Sequence, residues 1–524
     1  MAQWTDARSA AGTHNRWLIV GIISMATFME VLDTSIANVS LRHIAGGLSA
    51  SYDEATWVLT SYLISNAVII PISGWLSDVI GRKRYYMISV ALFAGSSLLC
   101  GLSPSLSVLV FARILQGIGG GGLAPSEQSI LADTFPPEQR GHAFAAYAIV
   151  VVVGPVLGPT LGGYITDHAS WHWIFLINVP VGLLSLVLVG SFVCEPDILV
   201  KERKERLKGG LRVDALGFAF VALGLGCLEF TLDRGEREDW FSSPMIVATA
   251  AIAAVSLVAL VFRELRTSDP IVNLRLLANR NFAITVCVMA TVGLILFGST
   301  QIIPQMLQQV LDYSATDAGL ALTAGGVATI VVMPIVGIMA GKIDTRFLLV
   351  PALTVTALAL FHFSTLNNQI SFRDAAFARL YQAIALPFLF VPVNIAAYVG
   401  LRPDQTNQAS ALLNVSRNLG GSFGIAWAQT LLSRRQQFHQ SRLVEGLSPL
   451  NPDYVQTLHQ MRGLVSGGLD APAGAVALLY QQVQQQAAML AFLDVFRAFA
   501  IFVAIVAPLA LLLKGGKPAA GAGH

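Results

Sequence analysis

Charge is what this chain of 524 residues has least of: Asp, Glu, Lys and Arg together make up 12% of it. A soluble domain carries about twice that share, so the composition excludes an ordinary water-soluble globule. Several chemistries are missing as well. No GxxxxGK[ST] segment is present, which excludes P-loop nucleotide hydrolysis by this chain. The nine histidines form no HExxH. The four cysteines, Cys100, Cys194, Cys227 and Cys287, stand singly with no CxxC spacing, and they read as small apolar fillers. No catalytic constellation, metal site or cofactor is therefore expected, and the chain does not read as an enzyme. One dinucleotide-like segment, Gly117-x-Gly119-x-x-Gly122, lies inside an apolar run with no strand before it. Small residues there read instead as a place of close helix approach.

What is present is apolar length. Hydrophobic residues are 54% of the chain, and about fourteen runs of about 20–25 residues fall between Leu18 and Leu513. A run of roughly 20 residues crosses a bilayer as a helix. The expected fold is an all-α polytopic membrane protein with 14 transmembrane helices. The second half repeats the first: Pro71-Ile72-Ser73-Gly74 recurs as Pro334-Ile335-Val336-Gly337, an offset of 263. Later the offset is 266, as in Arg113-x-x-Gln116 against Arg379-x-x-Gln382, and Gly154 and Gly158 against Gly420 and Gly424. Two similar bundles with a site between them are the plan of a secondary transporter. The boundaries read as an N-terminal six-helix bundle over 17–194, a charged linker with two inserted helices over 195–281, and a C-terminal six-helix bundle over 282–513 that includes an outer loop at 433–489. The linker run from Lys201 to Arg212 reads as a solvated stretch that holds topology.

Lys and Arg orient the spans. Arg82, Lys83, Arg84, Arg140, the run Lys201–Arg212, Lys342, Arg346 and Arg402 share one side. By the positive-inside rule that side, with both termini, is cytoplasmic. The long opposite segment, Ser433–Met489, is rich in Gln, Leu and Val, partly amphipathic, and invites a partner.

Ionisable groups inside spans are costly and usually functional. Asp33 lies in the outer part of span 1, and Glu30 three residues earlier can share its helical face. Two such carboxylates can hold and release a proton, so both are candidates for proton coupling. Arg113 in span 4, with Gln116 a turn away, needs a buried partner and is placed with them. Glu127, after Pro125 in the inner half of span 4, suits an organic cation or a second proton, and is expected to face a central cavity with Gln116, Asn38 and Tyr62. Glu229 in span 7 is a weaker candidate. The segment Gly74-Trp75-Leu76-Ser77-Asp78-Val79-Ile80-Gly81-Arg82 reads as a conformational latch, in which Gly74, Asp78, Gly81 and Arg82 hold one state shut. In span 5, Gly154, Pro155, Gly158, Pro159 and Gly162 read as a gate where the two halves meet. Arg379, the repeat mate of Arg113, reads as a snorkelling residue near the outer face.

Together these segments resemble the major facilitator superfamily, and within it the fourteen-span drug–proton antiporters. The resemblance rests on Gly74–Arg84, on Arg113-Ile114-Leu115-Gln116-Gly117, on Gly154–Gly163, on Leu32-Asp33-Thr34-x-Ile36-x-Asn38 and on Trp173-Ile174-Phe175-x-Ile177-Asn178-Val179-Pro180. It implies proton-coupled export of small hydrophobic or cationic drugs by alternating access, driven by the proton gradient. Leu232-Asp233-Arg234-Gly235-Glu236 with Asp239-Trp240-Phe241 resembles the branch that sits in a bacterial inner membrane and works with a periplasmic membrane-fusion adaptor and an outer-membrane channel. Related members export fatty acids. Glu30, Glu127 and Glu229 are acids where that branch implies neutral polar residues, which points toward cations.

Overall fold

A computed structural model describes residues 16–193, 195, 200, 203, 214–267, 270–340, 342–367, 370–402, 405–448, 450–464 and 471–513. The charged run Lys201–Arg212 lies outside the described residues except for Arg203. No strand occurs among the described residues. The long helices are α1 (Arg16–Val39), α2 (Trp57–Ile80), α3 (Arg82–Gly101), α4 in two pieces (Leu106–Gly120 and Leu123–Thr134), α5 (Pro137–His168), α6 (Asn178–Phe192), α7 (Ala215–Arg234), α8 (Pro244–Arg266), α9 (Arg280–Val310), α10 (Ala315–Ala340), α11 (Thr345–Phe363), α12 (Phe372–Ala397), α13 (Thr406–Glu445) and α14 (Ala471–Val506). Among the described residues, eleven helices are long and apolar enough to cross a membrane. The long helices α3, α5 and α13 stand at expected spans but are not among those eleven. The chain is a multi-pass membrane protein.

The sequence repeat is a packing repeat. Helix α1 packs on α5 as α9 packs on α13, and α2 packs on α4 as α10 packs on α12. The halves meet through α2 on α13 and α10 on α5, again two copies of one contact. Glycines make both approaches possible. A Cβ on Gly74 would stand 3.2 Å from the Asn407 carbonyl oxygen, and one on Gly141 would stand 2.7 Å from that of Gly337. Gly337 is the repeat mate of Gly74 at offset 263, and Asn407 that of Gly141 at offset 266. Missing side chains let backbones come within van der Waals range where no hydrophobic force operates between helices in lipid.

Two expectations are corrected in detail. Span 4 is not one rod: the run Gly119-Gly120-Gly121-Gly122 breaks it into two helices. The break is packed rather than open, since a Cβ on Gly117 would stand 2.5 Å from the Tyr62 carbonyl oxygen, and one on Gly119 2.6 Å from the Phe93 nitrogen. The segment 433–489 is mostly helix rather than loop. Helix α13 runs on to Glu445, a short helix covers Pro452–Leu464, and α14 begins at Ala471. Asp494 holds the extension in place by accepting from Arg435 Nε at 2.5 Å and bonding His439 Nε2 at 2.8 Å.

Candidate proton-coupling and substrate site

Helix α1 is apolar along most of its length, so Asp33 enters the bundle as an isolated carboxylate that must find partners there. It finds three. Arg113 Nη1 on α4 donates to Oδ2 at 2.6 Å, while Gln116 Nε2 and Asn178 Nδ2 donate to Oδ1 at 3.0 and 2.7 Å. Arg113 also donates to Gln116 Oε1 at 2.6 Å and, through Nε, to the Val58 carbonyl at 2.9 Å. Gln116 reaches on to Ser97 Oγ at 2.7 Å. Asp33 and Arg113 are 1% and 0% exposed. The i,i+3 spacing of Arg113 and Gln116 puts both on one face of α4, so one hydrogen-bond network around Asp33 ties α1 to α2, α3, α4 and α6.

Glu30 is one station further along. Its Oε1 accepts from Tyr62 Oη and Asn66 Nδ2, each at 3.3 Å. The two carboxylates therefore have separate partners, and Tyr62 connects them: its ring lies 4.3 Å under the Arg113 guanidinium carbon. Asn66 is in turn reached by Asn418 Nδ2 of α13 at 3.4 Å, so this station touches both halves.

Other predicted residues fall elsewhere. Glu127 does not open onto a cavity here. It is wholly buried, accepting from the Thr27 backbone N–H at 3.1 Å, from the Thr27 hydroxyl and from Tyr86 Oη at 3.2 Å. Asn38 is exposed at the end of α1. Glu229 is buried and accepts from Ser422 Oγ of α13 at 2.7 Å. Arg379 does not snorkel: it is 3% exposed and donates through Nη1 to Gln382 Oε1 at 2.8 Å and Ser299 Oγ at 3.3 Å. That copies the Arg113 arrangement, with Ser299 where the other half has Asp33.

Of the latch residues, Gly74 and Asp78 lie where α2 meets α13, while Gly81 and Arg82 face Glu195, Arg203 and Asp133. Asp78 accepts from the side chains of Asn407 and Gln408, both in the first turn of α13, where the helix dipole also favours an anion. Gly81 has φ +102°, a conformation that side chains resist. Arg82 pairs with Asp133 through its side chain and with Glu195 through its backbone N–H at 2.9 Å. More bonds between the halves lie close by: Ser129 Oγ to Ser410 Oγ at 3.0 Å and Asn414 Nδ2 to Gln128 Oε1 at 2.7 Å. Phe144 stacks on Tyr398 at 5.7 Å. The two halves are thus bonded to each other on the side of the molecule that carries Arg82.

The glycines of α5 act differently from expectation. A Cβ on Gly154 would stand 2.7 Å from Val31 Cγ1, one on Gly158 would overlap Ser35, and one on Gly162 would stand 3.1 Å from Ile36 Cγ2. Their close approach is to α1 of the same half, the helix that carries Glu30 and Asp33. Where the halves touch, α5 uses Gly141 instead.

Sequence reasoning missed Asn178 and Ser97 as site residues. Asn178 lay within a quoted motif, and the signal was an amide in a run otherwise free of polar groups.

A family model described as the Major Facilitator Superfamily matches residues 23–425. The chain belongs to that superfamily. Among curated relatives it is 38% identical over 480 residues to the multidrug export protein EmrB of Haemophilus influenzae, covering 91% of this chain and 92% of that one. It is 32% identical to the fatty acid resistance protein FarB of Neisseria gonorrhoeae, over 97% and 98% of the two chains. Among solved structures, the proton:xylose symporter XylE shares its fold with a TM-score of 0.59 at 14% identity, over 96% of this chain and 97% of that chain. As a member of this superfamily the chain is a membrane transporter.

Proposed function

We propose that this protein is a proton-coupled multidrug exporter that works by alternating access, crosses the membrane fourteen times and moves hydrophobic and cationic toxic compounds outward. The observation that carries the reading is the buried Asp33–Arg113 pair with its amide cage. A carboxylate wholly withdrawn from solvent and matched to a fixed cation can change its partners by taking up a proton. The likeness to a relative named for multidrug export supports it. Protons reach Asp33 and Glu30 from the outer side, and their arrival alters the bonds that tie α1 to α2, α4 and α6. Each proton moving inward through 100 mV supplies about 2.3 kcal/mol, so one or two sustain roughly tens- to thousands-fold accumulation outside.

In this reading the side bearing Arg82 and both termini is cytoplasmic, the state described is closed on that side, and the membrane is a bacterial inner membrane. The helical extension across 433–489 is the docking region for a periplasmic membrane-fusion adaptor of EmrA type, which passes substrate to an outer-membrane channel of TolC type. A second reading, a narrower exporter of fatty acids or one natural product, draws on the relative named for fatty acid resistance.

The deciding experiment measures proton release from the purified, detergent-solubilised protein on adding candidate drugs. Release that disappears in Asp33→Asn is expected. Release that persists unchanged in that variant would overturn the assignment of Asp33.

A further inference from the structure

In the C-terminal half, Arg379 is a buried cation that no described acid neutralises. In the N-terminal half Arg113 Nη1 and Gln116 Nε2 both donate to the Asp33 carboxylate, so the guanidinium has its counter-charge and the amide its acceptor. Helix α12 repeats the arginine and the glutamine one turn apart, and they bond each other in the same way, Arg379 Nη1 to Gln382 Oε1 at 2.8 Å. What α9 offers them is the Ser299 hydroxyl, 3.3 Å from Nη1. All three side chains are buried.

Donors are left over at this station. Gln382 Nε2 and Arg379 Nε are buried without a hydrogen-bond partner among the described residues. Ser299 Oγ accepts from Arg379 and gives its own proton to no described group. Because Nη1 contacts both, the Gln382 amide and the Ser299 hydroxyl flank one guanidinium nitrogen. The arginine is held in place by Gly325 of α10, where a Cβ would stand 3.0 Å from its Cγ and 3.2 Å from its Nε. The C-terminal helices packed on α12 bring no acid to it. Helices α9 and α11 contain neither Asp nor Glu. Helices α10 and α12 contain one each, Asp317 and Asp374, both in the first turn and bonded to Ser314 and Ser371. A guanidinium keeps its charge when buried, and an uncompensated charge in a low-dielectric interior is costly. Water satisfies donors but supplies no charge.

We propose that the Arg379 station binds a small monovalent inorganic anion of the halide class, held by the guanidinium, by Gln382 Nε2 and by the Ser299 hydroxyl. The anion does in this half what the Asp33 carboxylate does in the other: it neutralises the arginine and accepts from the glutamine. A serine ends at its hydroxyl where an aspartate carries a carboxylate, so the ligand is matched to that group in size and charge. Charge-assisted donors to an anion are among the stronger hydrogen bonds, which suits a site built from a guanidinium and two neutral donors. The ion is a resident counter-ion that fixes α9 to α12. It is not cargo, and it does not depend on which compounds the protein exports.

The test is thermal melting of the purified, detergent-solubilised full chain at constant pH and ionic strength, with sodium gluconate replaced stepwise by sodium chloride or sodium bromide. The wild-type midpoint is expected to rise by a few degrees and then saturate, because an ion that binds only the folded state stabilises it by mass action. Ser299→Asp supplies the negative charge from the chain itself, so its midpoint should be the same in gluconate and in halide. Arg379→Gln removes the cation, and its midpoint should be equally indifferent. A wild-type midpoint that does not respond to halide overturns the proposal, and so does a saturable rise that persists in either variant. If a variant does not fold, anomalous scattering from wild-type crystals grown in bromide decides: a bromide peak beside Gln382 Nε2 supports the site, and none there overturns it. Transport is not the readout, so failure of the exporter reading and failure of this site are told apart.

Discussion

Asp33 and Arg113 meet at 2.6 Å with neither side chain reachable by solvent. Such a pair is weak evidence of net stability, because desolvation offsets much of its attraction, but breaking it from one side leaves a buried charge alone at a cost of about 3–5 kcal/mol. Asp33→Asn and Arg113→Gln should each lower the thermal midpoint of the purified protein, and the double variant should be more stable than Arg113→Gln alone predicts. A double-mutant cycle on thermal melts measures this. Strict additivity of the two losses would show that the charges do not depend on each other.

The C-terminal copy of this arrangement has no carboxylate, since Arg379 binds Ser299 and Gln382. Arg379→Gln should therefore cost less than Arg113→Gln by roughly 2 kcal/mol, as no ion pair is lost. Ser299→Asp should raise the thermal midpoint by giving Arg379 a partner, and the same melts report it. A lower midpoint for Ser299→Asp would mean that Arg379 is better served by the hydroxyl.

The seal between the halves can be trapped. Ser129 Oγ and Ser410 Oγ lie 3.0 Å apart on opposite halves. In a background with the native cysteines replaced, cysteines at 129 and 410 should form a disulfide under mild oxidation and stop transport, with recovery on reduction. Adding Gly74→Leu, which forces α2 off α13, should cut the cross-linking yield several-fold. Undiminished yield would show that Gly74 does not set the approach.

Glu127 is hydrogen-bonded to Thr27 and Tyr86 away from any open space. Glu127→Gln should then reduce export of cationic and neutral compounds alike, or neither. Vesicle transport of a matched cationic and neutral pair tests this, and a loss confined to the cation would place Glu127 in the drug path.

Backbone proximity gives a control for all of these. Gly117→Ala adds a methyl against the Tyr62 carbonyl and Ser65 and should destabilise by about 1–3 kcal/mol. Gly95→Ala has nothing within 4 Å and should be neutral in the same thermal melt.

What could be read from the sequence was whatever repeats or whatever is charged in the wrong solvent. The offsets of 263 and 266 located the repeated helices, and the structure turns them into the paired contacts of Gly74 with Asn407 and Gly337 with Gly141. Asp33, Arg113 and Gln116 stood out because an ion in an apolar run needs a partner. Their cage did not, because Ser97 and Asn178 are neutral and ordinary in such helices, and only the three-dimensional fold brings them to Asp33. Hydropathy also misplaced the 433–489 segment, since a helix can continue past the point where its side chains stop being apolar.

The serine opposite Arg379 has a consequence for how the machine counts. Two repeat-related stations differ by one ionisable group: Arg113 donates to the Asp33 carboxylate, and Arg379 to the Ser299 hydroxyl. On the exporter reading, the carboxylates that take up protons, Asp33 and Glu30, both stand in the N-terminal bundle, and the Arg379 station takes up none. The other bundle is a passive counterpart, so the architecture is symmetric while its stroke has a direction.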